Sequence, residues 1–389
     1  MVVSLGRSVT SQQVCRAMVQ HHGLAQFVAA DAVGPQIQSL LDQRTCIQLD
    51  PLSVIGTNAD LVVLARIKNA KIGDVYRHLL PHHAFEHFAK ERCLLPARAF
   101  PHYRKQAVET PWWRHSERMK RLPASVLDAV ESEIRERGPL TARELTDHGG
   151  VEPLNWNGWK STSKATSLAL EILWVRCRIV VTERTPAGKR YDIPERALPA
   201  ISEEIPEQEF FEWAVEQRVH AAGMLAEAGG PHWSMLRDAR RNGLADTLVA
   251  KGRLEKVRIE GRRRSYYIQP GFFEQHCADA DDEIRVIGPL DSLIWDRNLI
   301  RYAFGFDYVW EVYKPVQKRQ FGWYICPLLH RGKFVGRIDA YVECSATSKQ
   351  LVVRQVWPEP NRPLDKDALD RALHRHANAL GVTSVEWKK

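Results

Sequence analysis

Between residues 124 and 195 the order of helix and strand signals narrows the fold to one layout. Val126, Val130 and Ile134 recur at helical spacing and predict a helix from Ser125 to about Arg137, broken by Gly138-Pro139. Thr141 and Glu144 stand as a capping box at the head of a short second helix, Thr141-Ala142-Arg143-Glu144-Leu145. After an aromatic turn at Trp156 to Trp159, Ser163 to Cys177 reads as a third helix with Leu168, Ile172 and Val175 inward. Two strands follow, Ile179 to Thr182 and Arg190 to Ile193, joined by Arg184-Thr185-Pro186-Ala187-Gly188-Lys189. Three helices followed by a hairpin with a basic turn is the layout of a winged helix, whose third helix reads a groove and whose wing touches the backbone.

A similar order recurs. Helices are expected over Glu207 to Ala226, Ser234 to Arg241 and Leu244 to Ala250; strands Leu254 to Ile259 and Ser265 to Ile268 then flank Glu260-Gly261-Arg262-Arg263-Arg264. This is a repeat of architecture rather than of sequence. Upstream, helices are predicted within residues 8 to 30, capped by Ser8 or Thr10, over Gly34 to Leu41, and over Gly73 to Leu80. Downstream, Trp310 to Tyr313, Trp323 to Leu328, Phe334 to Val342 and Leu351 to Val356 read as strands, and Asp365 to Leu380 as a closing helix with Leu369, Leu373 and Ala377 inward. The expected division is a helical, winged-helix-like region at 1–123, a winged helix at 124–200, a winged-helix-like repeat at 201–285 and a β-rich region with a closing helix at 286–389. The fold class is α+β.

The 389 residues, 44% of them hydrophobic, suffice for more than one core. With 55 Lys+Arg against 47 Asp+Glu the net charge is +8, a balance that permits a polyanionic partner without requiring one. The seven cysteines form no C-x-x-C pair, which argues against a zinc ribbon, an iron–sulfur cluster or a disulfide scaffold. They read as small buried residues in a reducing compartment. With no signal-peptide pattern and no apolar run of membrane-spanning length, a soluble cytoplasmic protein is expected, with monomer as the default.

The candidate chemistry lies in Cys46-Ile47-Gln48-Leu49-Asp50-Pro51-Leu52-Ser53-Val54. A residue before proline is pushed toward extended backbone, where residues i and i+2 face one side. Gln48 and Asp50 are therefore expected to project together, with Ile47 and Leu49 packing the other way. Such a pair can hold a water and withdraw its proton, or set a negative charge beside a cationic transition state. On spacing alone another reading carries more weight: Asp50 caps a following helix and Gln48 satisfies a buried loop.

Three basic segments fall where hairpin turns are expected: Arg184 to Arg190 with Lys189, Arg262-Arg263-Arg264, and Lys314 to Gln320 with Lys318 and Arg319. Any one alone reads best as a solvated turn. Three on repeated helix–hairpin units favour a surface for duplex DNA, with Lys164 at the head of the third helix beside them. Trp112-Trp113-Arg114-His115 could stack on bases but reads better as a packing anchor.

Several segments, taken in order, match a known family. They are Gln48-Leu49-Asp50; Leu64-Ala65-Arg66; Phe85-Glu86-His87-Phe88-Ala89-Lys90-Glu91-Arg92-Cys93-Leu94-Leu95-Pro96; Trp159 with Lys164; and Tyr191-Asp192-Ile193-Pro194-Glu195-Arg196. Further on come Pro289-Leu290-Asp291-Ser292-Leu293-Ile294-Trp295-Asp296-Arg297, Lys318-Arg319-Gln320-Phe321-Gly322 and Gly336-Arg337-Ile338-Asp339. The chain resembles, over nearly its whole length, the YcaQ/AlkZ family of winged-helix DNA glycosylases. Gln48-Leu49-Asp50 looks like the glutamine-apolar-aspartate motif of the YcaQ-like branch. Gly56-Thr57-Asn58-Ala59-Asp60 departs from the arginine and histidines usual after the motif, and Lys90 stands where a histidine is frequent.

The resemblance implies tandem winged-helix motifs around a concave DNA-binding face with the motif at its centre. It implies excision of N7-alkylated guanine and unhooking of DNA interstrand crosslinks by a monofunctional glycosylase, with Asp50 and Gln48 catalytic. Its partner would be double-stranded DNA carrying alkylated or crosslinked guanine, and no metal or other cofactor is called for. The competing reading is a winged-helix DNA-binding transcriptional regulator without catalysis; a role in protein contacts alone is disfavoured by the three basic tips.

Overall fold

The structure is a computed structural model that describes residues 7–29, 32–107, 120–151, 163–185, 187–201, 208–274, 278–344, 349–382 and 384–388. The expected aromatic turn at Trp156 to Trp159 and the Trp112-Trp113 pair lie outside them. The chain divides into two compact units: a discontinuous one, Met1–Val75 with Phe211–Lys389, and an inserted one, Tyr76–Phe210.

In the inserted unit the strands Ala84–Ala89 and Glu91–Pro96 form an antiparallel hairpin. The expected helices appear at Ala124–Arg137 and Ala165–Val175. Leu168, Ile172 and Val175 are buried as their spacing requires, and Leu127, Val130 and Ile134 form the inner face of the earlier helix. The hairpin follows at Val180–Thr185 and Gly188–Asp192, with Leu140–Thr141 added along Gly188–Asp192. The short helix expected at Thr141 to Leu145 is absent. Thr141 pairs with Arg190 in the sheet, the Glu144 carboxylate accepts the Thr141 N–H at 2.7 Å and the Glu144 N–H donates to the Thr141 carbonyl at 3.1 Å, so the two residues close a single turn.

In the discontinuous unit Thr10 caps the helix Ser11–His21 through a reciprocal box with Gln13, whose amide oxygen accepts the Thr10 N–H at 2.8 Å. Ahead of it Arg7–Val9 is a strand, not helix, because it adds in parallel to Glu255–Ile259. Helices follow at Val33–Arg44 and Asn58–Leu64. The helix expected over Glu207 to Ala226 runs Phe210–Ala222; Leu225–Ala226 leaves it to pair with Tyr266 and Tyr267. Arg237–Arg241, Leu244–Ala250 and the hairpin Glu255–Ile259/Ser265–Ile268 complete that half.

A five-stranded sheet occupies the C-terminal part, in the order Arg285–Val286, Ile325–His330, Lys333–Cys344, Lys349–Pro358, Val385–Trp387. Lys366–Leu380 packs on it through Leu369, Leu373 and Ala377. The strand expected at Trp310 to Tyr313 does not form. Glu311 instead accepts the N–H groups of Gln320 (2.9 Å), Phe321 (2.8 Å) and Gly322 (3.4 Å) and the Lys314 ammonium (2.8 Å), folding 311–322 into a closed loop. A carboxylate has replaced the neighbouring strand as acceptor. Burial raises the Glu311 pKa, but the Lys314 ammonium and these backbone donors outweigh it and hold the carboxyl at about 2. Glu311→Ala would leave the inward-turned donors unmet, at roughly 1–3 kcal/mol. The expected result is rapid tryptic cleavage after Lys318 and Arg319 in a chain that otherwise stays folded; a cleavage pattern like wild type would refute the role given to Glu311.

Among the described residues, no helix is long and apolar enough to cross a membrane.

Candidate active site

Ile47–Gln48 is a two-residue strand, and Leu49 and Asp50 continue beyond it. Ile47, Gln48 and Leu49 are buried and Asp50 is half-buried. Asp50 does not cap a helix. Its Oδ1 accepts the Leu52 N–H at 2.8 Å in a local turn, and the next helix, Asn58–Leu64, is capped by Thr57 in a box with Asp60. Burial raises the Asp50 pKa, and the Leu52 N–H only partly offsets it. The carboxylate is thus poised as a stronger base than a solvated one.

Two features define its surroundings. Asn58, fully buried at the first position of its helix, donates from Nδ2 to the Gln48 carbonyl at 2.8 Å and accepts at Oδ1 from the Leu290 N–H at 3.1 Å. Tyr324, also buried, packs in the cluster that holds Ile55 and Leu61, with Leu52 and Val54 against it, and its hydroxyl pKa is held high first by burial. From Tyr324 an aromatic run leads outward: its ring centroid is 6.2 Å from that of Trp310, which is 5.6 Å from that of Tyr313. Tyr313 is 85% exposed and Val316 68%, on the loop that Glu311 closes.

Behind the motif, Arg66 and Asp291 form a bidentate ion pair at 2.7 and 3.0 Å, both side chains essentially inaccessible. Arg66 also donates to the carbonyls of His22 (2.7 Å) and Val62 (2.9 Å), and Asp291 accepts the Leu293 N–H at 3.0 Å. The pair joins the helix Asn58–Leu64 to the segment 288–297.

The expected DNA contacts fall into distinct environments. In the inserted unit Lys164 is exposed, 3.3 Å from Asp147. Arg184 and Lys189 turn inward instead: Glu86, wholly buried, accepts from Arg184 at 2.6 and 2.9 Å and from Lys189 at 3.0 Å. A basic turn in the sequence carries no sign of which cations face solvent, and these two hold the wing to Ala84–Ala89. In the discontinuous unit Arg262 and Arg263 are exposed, Arg262 with its guanidinium 4.6 Å from the Tyr302 ring centroid. Arg264 is half-buried, 3.6 Å from Asp296. Lys318 is exposed, Lys314 binds Glu311, and Arg319 donates to the Lys314 carbonyl at 2.9 Å.

The reading of residues missed Asn58, Tyr324 and Glu311 as site builders. Asn58 acts through a partner distant in sequence, and no spacing rule marks any of the three.

Comparison with known proteins agrees with this picture. The profile of the DNA glycosylase AlkZ-like family matches residues 41–379. Among solved structures, the Streptomyces sahachiroi DNA glycosylase AlkZ is similar over 98% of this chain and 99% of its own, with a TM-score of 0.60 and 16% sequence identity. At that identity the likeness is one of fold. The family match spans the motif, the Arg66–Asp291 anchor and the loop at 311–322, and the chain belongs to the AlkZ-like DNA glycosylase family.

Proposed function

We propose that this chain excises N7-alkylated guanine from duplex DNA, and unhooks interstrand crosslinks made through that atom, by hydrolysing the N-glycosidic bond without a lyase step. The observation that carries the reading is Asp50: a half-buried carboxylate of raised pKa, within the span that the DNA glycosylase AlkZ-like profile matches.

Alkylation at N7 makes guanine cationic and a good leaving group. As the bond to the sugar breaks, positive charge develops on the sugar ring. Asp50 places a negative charge beside it and takes a proton from the attacking water. Gln48 orients that water or the sugar without adding charge. Ionised Asp50 is the working form, so activity falls as pH drops through its raised pKa.

We also propose that both hairpin units act as winged helices on the duplex. Lys164, Arg262, Arg263 and Lys318, exposed to solvent, would meet phosphates, and the 311–322 loop with Lys314 and Arg319 would be the segment entering the DNA near the lesion. Replacing Lys318 by Ala is expected to weaken duplex binding and reduce the slope of log K against log salt by about 0.9, as loss of one phosphate contact does. Fluorescence anisotropy across a salt series reads both; an unchanged slope would remove Lys318 from the contact set.

The test of the reading is incubation with duplexes carrying N7-methylguanine or a nitrogen-mustard crosslink. Free N7-methylguanine with an intact abasic strand is expected from the first duplex, and from the second, separated strands, one abasic and the other carrying the excised base still tethered through the mustard. Strand cleavage with a borohydride-trapped adduct would overturn the monofunctional chemistry. Sequence-specific binding to an operator, with no base released from either duplex, would favour a regulator.

A further inference from the structure

We infer that Asn58 is a positioning residue for the motif, fixing the Gln48 backbone against the 288–290 segment so that Gln48 and Asp50 share one fixed frame. The inference rests on the glycosylase reading and deepens it.

The geometry is specific. Asn58 is wholly buried, and both ends of its amide are used: Nδ2 donates to the Gln48 carbonyl at 2.8 Å, and Oδ1 accepts from the Leu290 N–H at 3.1 Å. A primary amide is a neutral group of this size that offers a donor and an acceptor from one flat head. Asn58 is not the cap of its own helix; Thr57 does that with Asp60, which leaves the Asn58 side chain for the long-range bridge.

The opposite wall is built for it. A Cβ at Gly288 would lie 2.6 Å from Asn58 Oδ1 and 3.2 Å from Leu61 Cβ. The backbone at 288 therefore approaches as closely as a residue without a side chain permits. The 288–297 segment is itself held by the Arg66–Asp291 pair, so Asn58 transmits a rigid reference to the residue two before Asp50. Misplacement of reacting groups by about 1 Å can cost about 100-fold in rate.

The test uses the full chain and single-turnover release of N7-methylguanine, with duplex affinity measured separately. Variants are Asn58→Ala, the near-isosteric Asn58→Asp, Gly288→Ala, and the Asn58→Ala/Gly288→Ala double. Asn58→Asp keeps the acceptor for Leu290 and sets an oxygen against the Gln48 carbonyl. Each single variant is expected to slow base release by about 10- to 100-fold. For Asn58→Ala and Gly288→Ala, DNA affinity and the acid limb of the pH profile should hardly move, because Asp50 and the charges around it are untouched. Gly288→Ala acts by displacing Asn58, so the double variant should be no slower than Asn58→Ala.

Unchanged rates in folded variants would overturn the inference while wild-type activity upheld the glycosylase reading. Additive losses, or rate losses that track melting temperature, would assign Asn58 a purely structural role. Should Asn58→Ala not fold, Asn58→Asp and Gly288→Ala decide the same question. A wild type that releases no base from either duplex would overturn the glycosylase reading, and this inference with it.

Discussion

Asp50→Asn is expected to reduce base release by at least about 1,000-fold while duplex binding stays near wild type. The amide keeps the size of the carboxylate and an oxygen to accept the Leu52 N–H, seen here at 2.8 Å, so the local turn survives. It loses the charge that meets the developing cation and the basicity that takes the water's proton. The same substitution should not destabilise the fold. Burial raises the folded-state pKa of Asp50, so folding favours its neutral form. The stability this group contributes is present below its unfolded value and is lost as pH rises through the folded value. At neutral pH the wild type holds a charge that its surroundings disfavour, and a neutral amide does not. Single-turnover kinetics, anisotropy and a melting scan therefore give one signature: activity gone, binding kept, melting temperature equal or higher. Activity retained within tenfold would exclude Asp50 as base and as charge. For the wild type, the acid limb of the pH–rate profile should sit above the ordinary aspartate range.

The second large effect concerns stability. Removing Asp291 strands Arg66, whose side chain is only 2% accessible. Arg66 would retain the His22 and Val62 carbonyls but lose both carboxylate bonds. Breaking a buried pair from one side costs about 3–5 kcal/mol, most of it from the uncompensated charge. Asp291→Ala should shift the urea midpoint of the discontinuous unit by a corresponding amount. Replacing both partners with apolar residues should recover much of the loss, since the pair's own net contribution is small. A loss below about 1 kcal/mol for the single variant would mean that water reaches Arg66.

The helices that periodicity marks were legible in the sequence. Leu168, Ile172 and Val175, or Leu369, Leu373 and Ala377, recur at the spacing that puts them on one buried face. The hairpin at 180–192 was legible from its turn, and the Gln48-Leu49-Asp50 motif from its residues. Illegible were features in which one side chain stands in for a neighbouring strand or helix end. The apolar run Trp310 to Tyr313 has strand composition, yet Glu311 takes the backbone donors of 320–322 and makes a loop. Glu144 accepts the Thr141 N–H as a capping residue would, but Thr141 pairs with Arg190 in the sheet and only one turn follows, with no helix. Arg184 and Lys189 read as cations free for phosphate, while Glu86, about a hundred residues earlier, holds both. Arg190 and Glu86 are remote in sequence from the residues they decide, and the Glu311 acceptor leaves no periodic pattern.

The division of the chain has a consequence for how it is made. Residues 76–210 form one contiguous unit, whereas Arg7–Val9 waits for a parallel partner at Glu255–Ile259, and the bridge from the Gln48 carbonyl through Asn58 waits for Leu290. During synthesis the inserted unit has everything it needs long before the enclosing one does. Pairings that span some 250 residues carry a loop-closure entropy that local contacts avoid, and they slow folding. The Gln48–Asp50 segment, although near the start of the chain, is thus among the last parts to reach its final form. A nascent chain arrested before Leu290 would carry the motif but lack the frame around it.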